Sequence, residues 1–193
     1  MPYSSDIFDS TVVSLIKYLR PKRVLDVGAG AGKYGSMIRE LYPDTYLIGI
    51  EVESSYISKF NLHSVYDVIR CEDASCVITE SLVDAFDLVI FGDVIEHLRK
   101  SVGLDLLNFL AYRSGFILLV YPVRYLQDDV EGYRSEAHIS VWGETDFVGF
   151  DHSAVVQRDT QQLVVIQGYL PSKRKLAQID RLLRRSNSSK GRT

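Results

Sequence analysis

The chain has 193 residues, 46% of them hydrophobic and 24% charged, an ordinary globular balance with length enough for one sizeable core. No apolar run approaches the length of a membrane-spanning helix. The start, MPYSSDIFDS, has neither the basic nor the apolar region of a signal peptide, so a cytoplasmic protein with no membrane partner is expected. The formal charge of −3 is unevenly spread: from Lys173 onward eight basic residues face one acid, a net of +7, which leaves −10 on the rest and argues against a broad nucleic-acid groove.

Segment 6–20 carries Ile7, Val12, Leu15, Ile16 and Leu19 at helical spacing and is stopped by Pro21, so a helix is expected there. Residues 23–27 form an apolar run ending in glycines, which reads as a buried strand. Helices are expected over 33–41, 55–62 and 74–82, alternating with strands over 46–50, 65–70 and 86–91. One long helix is expected over 95–112 despite Gly103, followed by a fifth strand over 116–121 that Pro122 closes. Continuously apolar strands alternating with helices imply a parallel sheet covered on both faces. After Pro122 the pattern changes. Residues 122–143 hold no clear strand, 144–150 suggest a short helix, and 154–157 with 163–169 suggest an antiparallel hairpin. Leu176, Ile179, Leu182 and Leu183 then form an apolar stripe on a basic helix, open to the domain or to a second copy in a homodimer, and the last eight residues are expected to be disordered. The two cysteines, Cys71 and Cys76, have no metal-type pair elsewhere and read as reduced, buried thiols; His63 and His152 have no companions and read as structural.

The most informative stretch is RVLDVGAGAGKY, residues 23–34, where a strand runs into Gly28, Gly30 and Gly32 before a helix begins. Glycines at such a turn let the backbone bend sharply and let a ligand lie against it. A phosphate-binding Walker loop does not fit: it needs glycine where Val27 stands and a hydroxyl residue where Tyr34 stands. A dinucleotide fingerprint does not fit either, because Lys33 occupies the position of its last glycine. An acid inside an apolar strand, Asp26, also demands a partner.

An acid two residues ahead of GxGxG resembles the first motif of class I S-adenosylmethionine-dependent methyltransferases. Two further acids follow in the family's order, Glu51 after the second strand and Asp73 after the third. The resemblance covers roughly residues 20–170. It implies S-adenosylmethionine as cofactor and S-adenosylhomocysteine as product. Asp26 would face the methionyl ammonium, directly or through water, Glu51 would accept from both ribose hydroxyls, and Asp73 would accept from the adenine amino group. The implied cofactor wall comprises Asp26, Gly28, Ala29, Gly30 and Gly32 on the first loop, with Glu51 and Val52 on the second. Asp73, Ala74, Gly92 and Asp93 complete it. The fold expected is α/β, a Rossmann-like three-layer sandwich with a mostly parallel seven-stranded sheet and an antiparallel final hairpin. The domains expected are residues 1–172 for the methyltransferase and 173–193 for a basic amphipathic helix with its tail.

Strand four runs into GDVIEHL, which resembles the D-x-x-E-H motif of methyltransferases acting on small molecules. On a helix start, Asp93, Glu96 and His97 would share one face. His97 suits a base or substrate-positioning role, since imidazole takes a proton near neutral pH. Further on, His138, Trp142 and Phe147 are spaced as in the small-RNA 2′-O-methyltransferases, where two acids and two histidines hold Mg²⁺. By that resemblance Asp93, Glu96, His97 and His138 would form the cluster, but Asp93 stands in place of a longer glutamate and Mg²⁺ prefers oxygen, so no metal is assigned. Catalysis is assigned to His97, Glu96 and His138, with the aromatic segment 122–143 over the acceptor. The function expected is methyl transfer to a small-molecule or saccharide acceptor, with oxygen the acceptor atom. RNA 2′-O-methylation and a non-catalytic cofactor-binding scaffold are the alternatives.

Overall fold

The structure is a computed structural model that describes residues 4–79, 84–130, 132–151, 153–158 and 160–188. The N-terminal half alternates helix and strand: α1 (Asp9–Leu19), β1 (Arg23–Val27), α2 (Lys33–Leu41), β2 (Tyr46–Glu51), α3 (Ser54–Lys59), β3 (Val68–Cys71) and α4 (Cys76–Thr79). Then come β4 (Phe86–Gly92), α5 (Lys100–Ala111), β5 (Ser114–Pro122), β6 (Ser153–Arg158), β7 (Gln161–Gln167) and α6 (Leu176–Ser188). The strands form one seven-stranded sheet in the order β3-β2-β1-β4-β5-β7-β6. Its first five strands are parallel, and β7 joins β5 antiparallel and pairs with β6 as a hairpin. This is the expected α/β sandwich. Sequence order reverses between β1 and β4, which opens a crevice beyond their carboxyl ends, the usual ligand position in such sheets.

The strands are apolar throughout because both faces are covered. In β4, Leu88 and Ile90 face one core with Leu15 and Ile16 of α1 and Ile38 of α2, while Val89 and Phe91 face the other with Leu106, Leu107 and Leu110 of α5. The second core also takes Trp142 and Phe147, so the connection after β5 is anchored from below. Helix α6 lays Leu176, Ile179 and Leu183 into the first core beside α1, which covers the apolar stripe with the chain's own surface. The helix continues to Ser188, so three of the residues expected to be disordered are helical, and 189–193 lie outside the described residues.

Two further differences from the sequence reading matter for the site. Strand β3 begins at Val68 rather than at residue 65, because a 3₁₀ turn, Leu62–Ser64, precedes it and Tyr66 turns inward instead of joining the ladder. The helix expected over 95–112 is two pieces. A 3₁₀ turn, Ile95–His97, is followed by Leu98 in an extended conformation, and α5 begins only at Lys100. The expected helix over 74–82 is described as Cys76–Thr79, with residues 80–83 and His152 outside the described residues. The cysteines are not buried as expected: Cys71 ends an edge strand and is exposed, and Cys76 is half-buried. Among the described residues no helix is long and apolar enough to cross a membrane.

Candidate cofactor and transfer site

The glycine loop is built by backbone conformation. Gly28, Gly30 and Gly32 have φ of 73°, 52° and 77°, the left-handed region that favours glycine. The N–H groups of Gly28 and Ala29 both donate to Ile50 O at 2.9 Å, knitting the loop to β2. A side chain on Gly28 would also strike Val94, whose Cγ2 stands 2.4 Å from where a Cβ would lie.

Glu51 ends β2 and its carboxylate is held from two directions. Oε2 accepts from Gly30 N at 2.7 Å and Oε1 from Glu53 N at 2.8 Å. Burial raises its pKa, and those two N–H groups pull it back. Asp73 follows β3 and uses Oδ1 to accept from Ser75 N at 2.8 Å, capping the turn before α4. Asp26 lies beneath the loop, 1% exposed, where Oδ2 accepts from the Tyr66 hydroxyl at 2.6 Å. Desolvation lifts its pKa to about 7 against the pull of Tyr66, with the Glu51 charge adding to the rise.

These elements surround an open cleft of about 900 Å³, solvent mouth included. Of the expected cofactor residues, Gly28, Ala29, Gly30, Glu51, Val52, Asp73, Ala74, Gly92 and Asp93 line it. Asp26 and Gly32 stand behind the wall rather than on it. His97 lines the cleft, whereas Glu96 and His138 stand behind His97. Sequence reasoning did not single out Ser4, Lys33, Tyr34, Glu53, Tyr56, Ser135 and Glu136, which line it too. Six carboxylates and one lysine face the space, and that lysine is engaged: Lys33 Nζ lies 2.6 Å from Asp9 Oδ1 and donates to Ser4 O and Ser5 O. An acidic wall of this kind suits a ligand with two positive centres, as a sulfonium amino acid has.

The motif GDVIEHL does its work through turns, not a helix face. Gly92 has no room for a side chain, because the Tyr34 ring would lie 1.9 Å from its Cβ. Asp93 takes φ of 52°, which swings the chain out of β4 and into the 3₁₀ turn. The expected common face for Asp93, Glu96 and His97 is therefore corrected: Asp93 and His97 face the cleft and Glu96 points into the protein. Burial lifts Asp93 to about 6, against the Ser4 hydroxyl and the Lys33 ammonium.

Glu96 is 2% exposed, and neither carboxyl oxygen has a hydrogen-bond partner among the described residues. Burial first, and the Asp93 charge second, hold its pKa far above the ordinary range. His97 Nδ1 lies 3.1 Å from Ala137 O and His138 Nδ1 lies 2.9 Å from Tyr125 O. A carbonyl only accepts, so each imidazole carries a proton on Nδ1 and turns Nε2 away from that carbonyl. Burial lowers the His97 pKa, which keeps it neutral. The two rings meet edge to face at 4.8 Å, and His138 Nε2 is 3.9 Å from Glu96 Oε1. One potential ligand atom from each of Glu96, His97 and His138 lies within 4.8 Å of the other two, the group among the described residues that could hold a cation; Asp93, which the resemblance would add, is not part of it. The segment carrying His138 is pinned: Ile139 N and Ser140 N donate to Glu96 O, and Trp142 Nε1 donates to Ile95 O at 3.0 Å.

No protein-family model matches the chain, and no curated protein matches it in sequence. Solved structures match it in shape. The N-terminal domain of EvdMO1, crystallised with S-adenosylhomocysteine, is 17% identical at a TM-score of 0.64, over 86% of this chain and 83% of that one. The methyltransferase domain of the bacterial protein CtHen1-CN is 19% identical at 0.60, over 82% and 96%. An O-methyltransferase family protein from Burkholderia thailandensis is 13% identical at 0.62, over 84% of this chain and 55% of that one, so the chain spans about half its length. The chain thus has the class I methyltransferase fold.

Proposed function

We propose that the protein is an S-adenosylmethionine-dependent methyltransferase that modifies a small-molecule or saccharide acceptor at oxygen. The observation that carries this reading is the Glu51 carboxylate. It is fixed at the carboxyl end of β2 by Gly30 of the glycine loop, so loop and acid form one cradle open toward the cleft. Asp73, one strand over, lines the same cleft, and the buried Asp26 supplies negative charge beneath the loop. The structural likeness to methyltransferases supports the same reading.

Bound S-adenosylmethionine supplies a methyl group activated on sulfonium. The protein's part is to hold the acceptor in line with it, exclude water and take a proton from the acceptor hydroxyl. His97 suits the proton transfer. It lines the cleft, is held neutral by burial, and has its Nδ1–H fixed on Ala137 O so that Nε2 can receive the proton. Glu96 and His138 act behind it as positioning groups. Calorimetry with S-adenosylmethionine and S-adenosylhomocysteine, followed by methyl-transfer assays on pooled metabolites, tests the proposal. His97→Ala should retain binding and lose about 100-fold or more in turnover. Turnover unchanged in that variant removes His97 from the chemistry, and tight binding without turnover on any acceptor class favours a scaffold.

A second reading is favoured by the bare Glu96 carboxyl beside two imidazoles. These could hold a divalent cation for a metal-assisted 2′-O-methylation of RNA, and a two-nitrogen, one-carboxylate set suits manganese, cobalt or zinc better than magnesium. Loss of activity with chelator, restored by one of those ions and absent in Glu96→Gln, would support it.

A further inference from the structure

We infer that residues 133–138 form a strap across the mouth of the cofactor cleft, and that its α3 end must let go before S-adenosylmethionine can enter or S-adenosylhomocysteine leave. The inference rests on the methyltransferase reading, which supplies the ligand. Topology requires the crossing. The strap belongs to the connection after β5, yet Tyr133, Ser135 and Glu136 dock on α3 and the residue before it, beyond the end of β2. Its other end meets His97, beyond the end of β4. Strand β1 lies between β2 and β4, so the strap passes over the carboxyl end of β1 and the crevice beside it. Accordingly Ser135 and Glu136 line the cleft together with Glu51, Glu53 and Tyr56. Glu51, whose pKa is raised first by burial, also feels the Glu136 charge.

The two ends of the strap are held differently. Beside His97 the backbone is pinned: His138 N donates to Gln127 O at 2.9 Å, Gln127 Nε2 donates to Glu136 O at 2.7 Å, and Ile139 N and Ser140 N donate to Glu96 O. Toward α3 the ties join side chain to side chain. Ser135 Oγ donates to Glu53 Oε1 at 2.5 Å, the Tyr56 hydroxyl donates to Glu136 Oε1 at 2.9 Å, and the hydroxyls of Tyr133 and Ser55 lie 3.1 Å apart. The rings of Tyr56 and Tyr133 pack at 5.2 Å. Side-chain ties are individually modest and part without breaking a backbone ladder, so the α3 end opens while the His97 end stays. Ties between two protein groups act alike in free and loaded protein. They therefore set how often the cleft opens, and not how tightly the cofactor is held.

Tyr133 and Ser55 carry the test, because neither is among the residues lining the cleft. Tyr133→Ala removes the hydroxyl tie and the ring contact, and Ser55→Ala removes the hydroxyl tie alone. Thermal melts verify folding, and surface plasmon resonance on immobilised protein reads the association and release rates of S-adenosylhomocysteine. Tyr133→Ala should raise both rates about fivefold or more and leave Kd within about twofold of the wild type. Ser55→Ala should move both rates in the same direction by less. Unchanged rates in Tyr133→Ala overturn the inference, and so does faster release without faster association, which marks a ligand contact instead of a gate. Should Tyr133→Ala fail to fold, the same two rates in Ser55→Ala decide it. Wild-type protein that does not bind S-adenosylhomocysteine sinks the methyltransferase reading and the strap with it, whereas binding at rates the variants leave alone sinks the strap only.

Discussion

The Tyr66 hydroxyl reaches 2.6 Å across to the Asp26 carboxylate, one strand's last turn away from the ladder it was expected to join. That contact leaves Asp26 Oδ1 buried with no hydrogen-bond partner among the described residues, in a position where the carboxyl is half protonated near pH 7. The folded-state pKa is raised from 3.8 to about 7, so the native protein binds the proton more tightly than the unfolded chain. The associated stability is complete below about pH 4 and is lost as pH rises through 7, on the order of 4 kcal/mol at the limit. Asp26→Asn has no such loss. Urea unfolding should show its advantage over the wild type growing from pH 4 to 7 and then levelling, and a difference flat in pH would show that the site is not desolvated. The same substitution should weaken cofactor binding about tenfold or more, because the anion beneath the loop is gone.

Gly28→Ala tests the loop itself. At φ of 73° a side chain is strained, and its Cβ would meet Val94 Cγ2 at 2.4 Å. A stability loss of about 1–3 kcal/mol is expected, together with loss of cofactor binding. Unfolding midpoints and calorimetry on the same sample separate the two effects, and unchanged affinity would mean that the loop does not touch the ligand.

Trp142 is the single tryptophan of the chain, so its fluorescence reports on the connection after β5. Its ring lies 2.5 Å from where a Cβ on Gly103 would stand, Lys100 Nζ sits 4.3 Å above it, and its N–H donates to Ile95 O. Trp142→Ala should cost about 3–5 kcal/mol and loosen the 3₁₀ turn that carries Glu96 and His97. Gly103→Ala should disturb the same fluorescence while leaving the cofactor wall in place. A Trp142→Ala protein of wild-type stability would contradict the anchoring role.

The sheet was legible because its signal is local: β1 and α2 have the bounds their apolar runs and Pro or Gly boundaries suggest. The acids at strand ends were legible for the same reason, as order and spacing along one chain. The break at Leu98 was not, because residues 95–112 are helix-compatible throughout. It is the left-handed Asp93 and the tertiary bonds from Ile139, Ser140 and Trp142 to residues 95 and 96 that hold the first turn apart from α5. Tyr56, Tyr66, Lys33 and Glu136 were missed because each acts on a residue far away in sequence: Tyr66 on Asp26, Tyr56 on Glu136, and Lys33 on the N-terminal segment. Periodicity carries no trace of such pairs. Nothing local set Glu136 apart, because Asp128, Asp129 and Glu131 stand in the same connection.

Glu51→Gln addresses the cradle directly. The side chain accepts two backbone N–H groups, from Gly30 and Glu53, and an amide can accept only through its oxygen. Its NH₂ would then face a donor, so the variant should fold with a modest loss and bind S-adenosylhomocysteine about tenfold or more weakly. Titration calorimetry of wild type and Glu51→Gln side by side with S-adenosylhomocysteine is the most direct measurement. One-to-one binding by the wild type, weakened in the variant, is the predicted result. A wild-type protein that gives no heat and no melting shift with S-adenosylhomocysteine or S-adenosylmethionine would contradict the account.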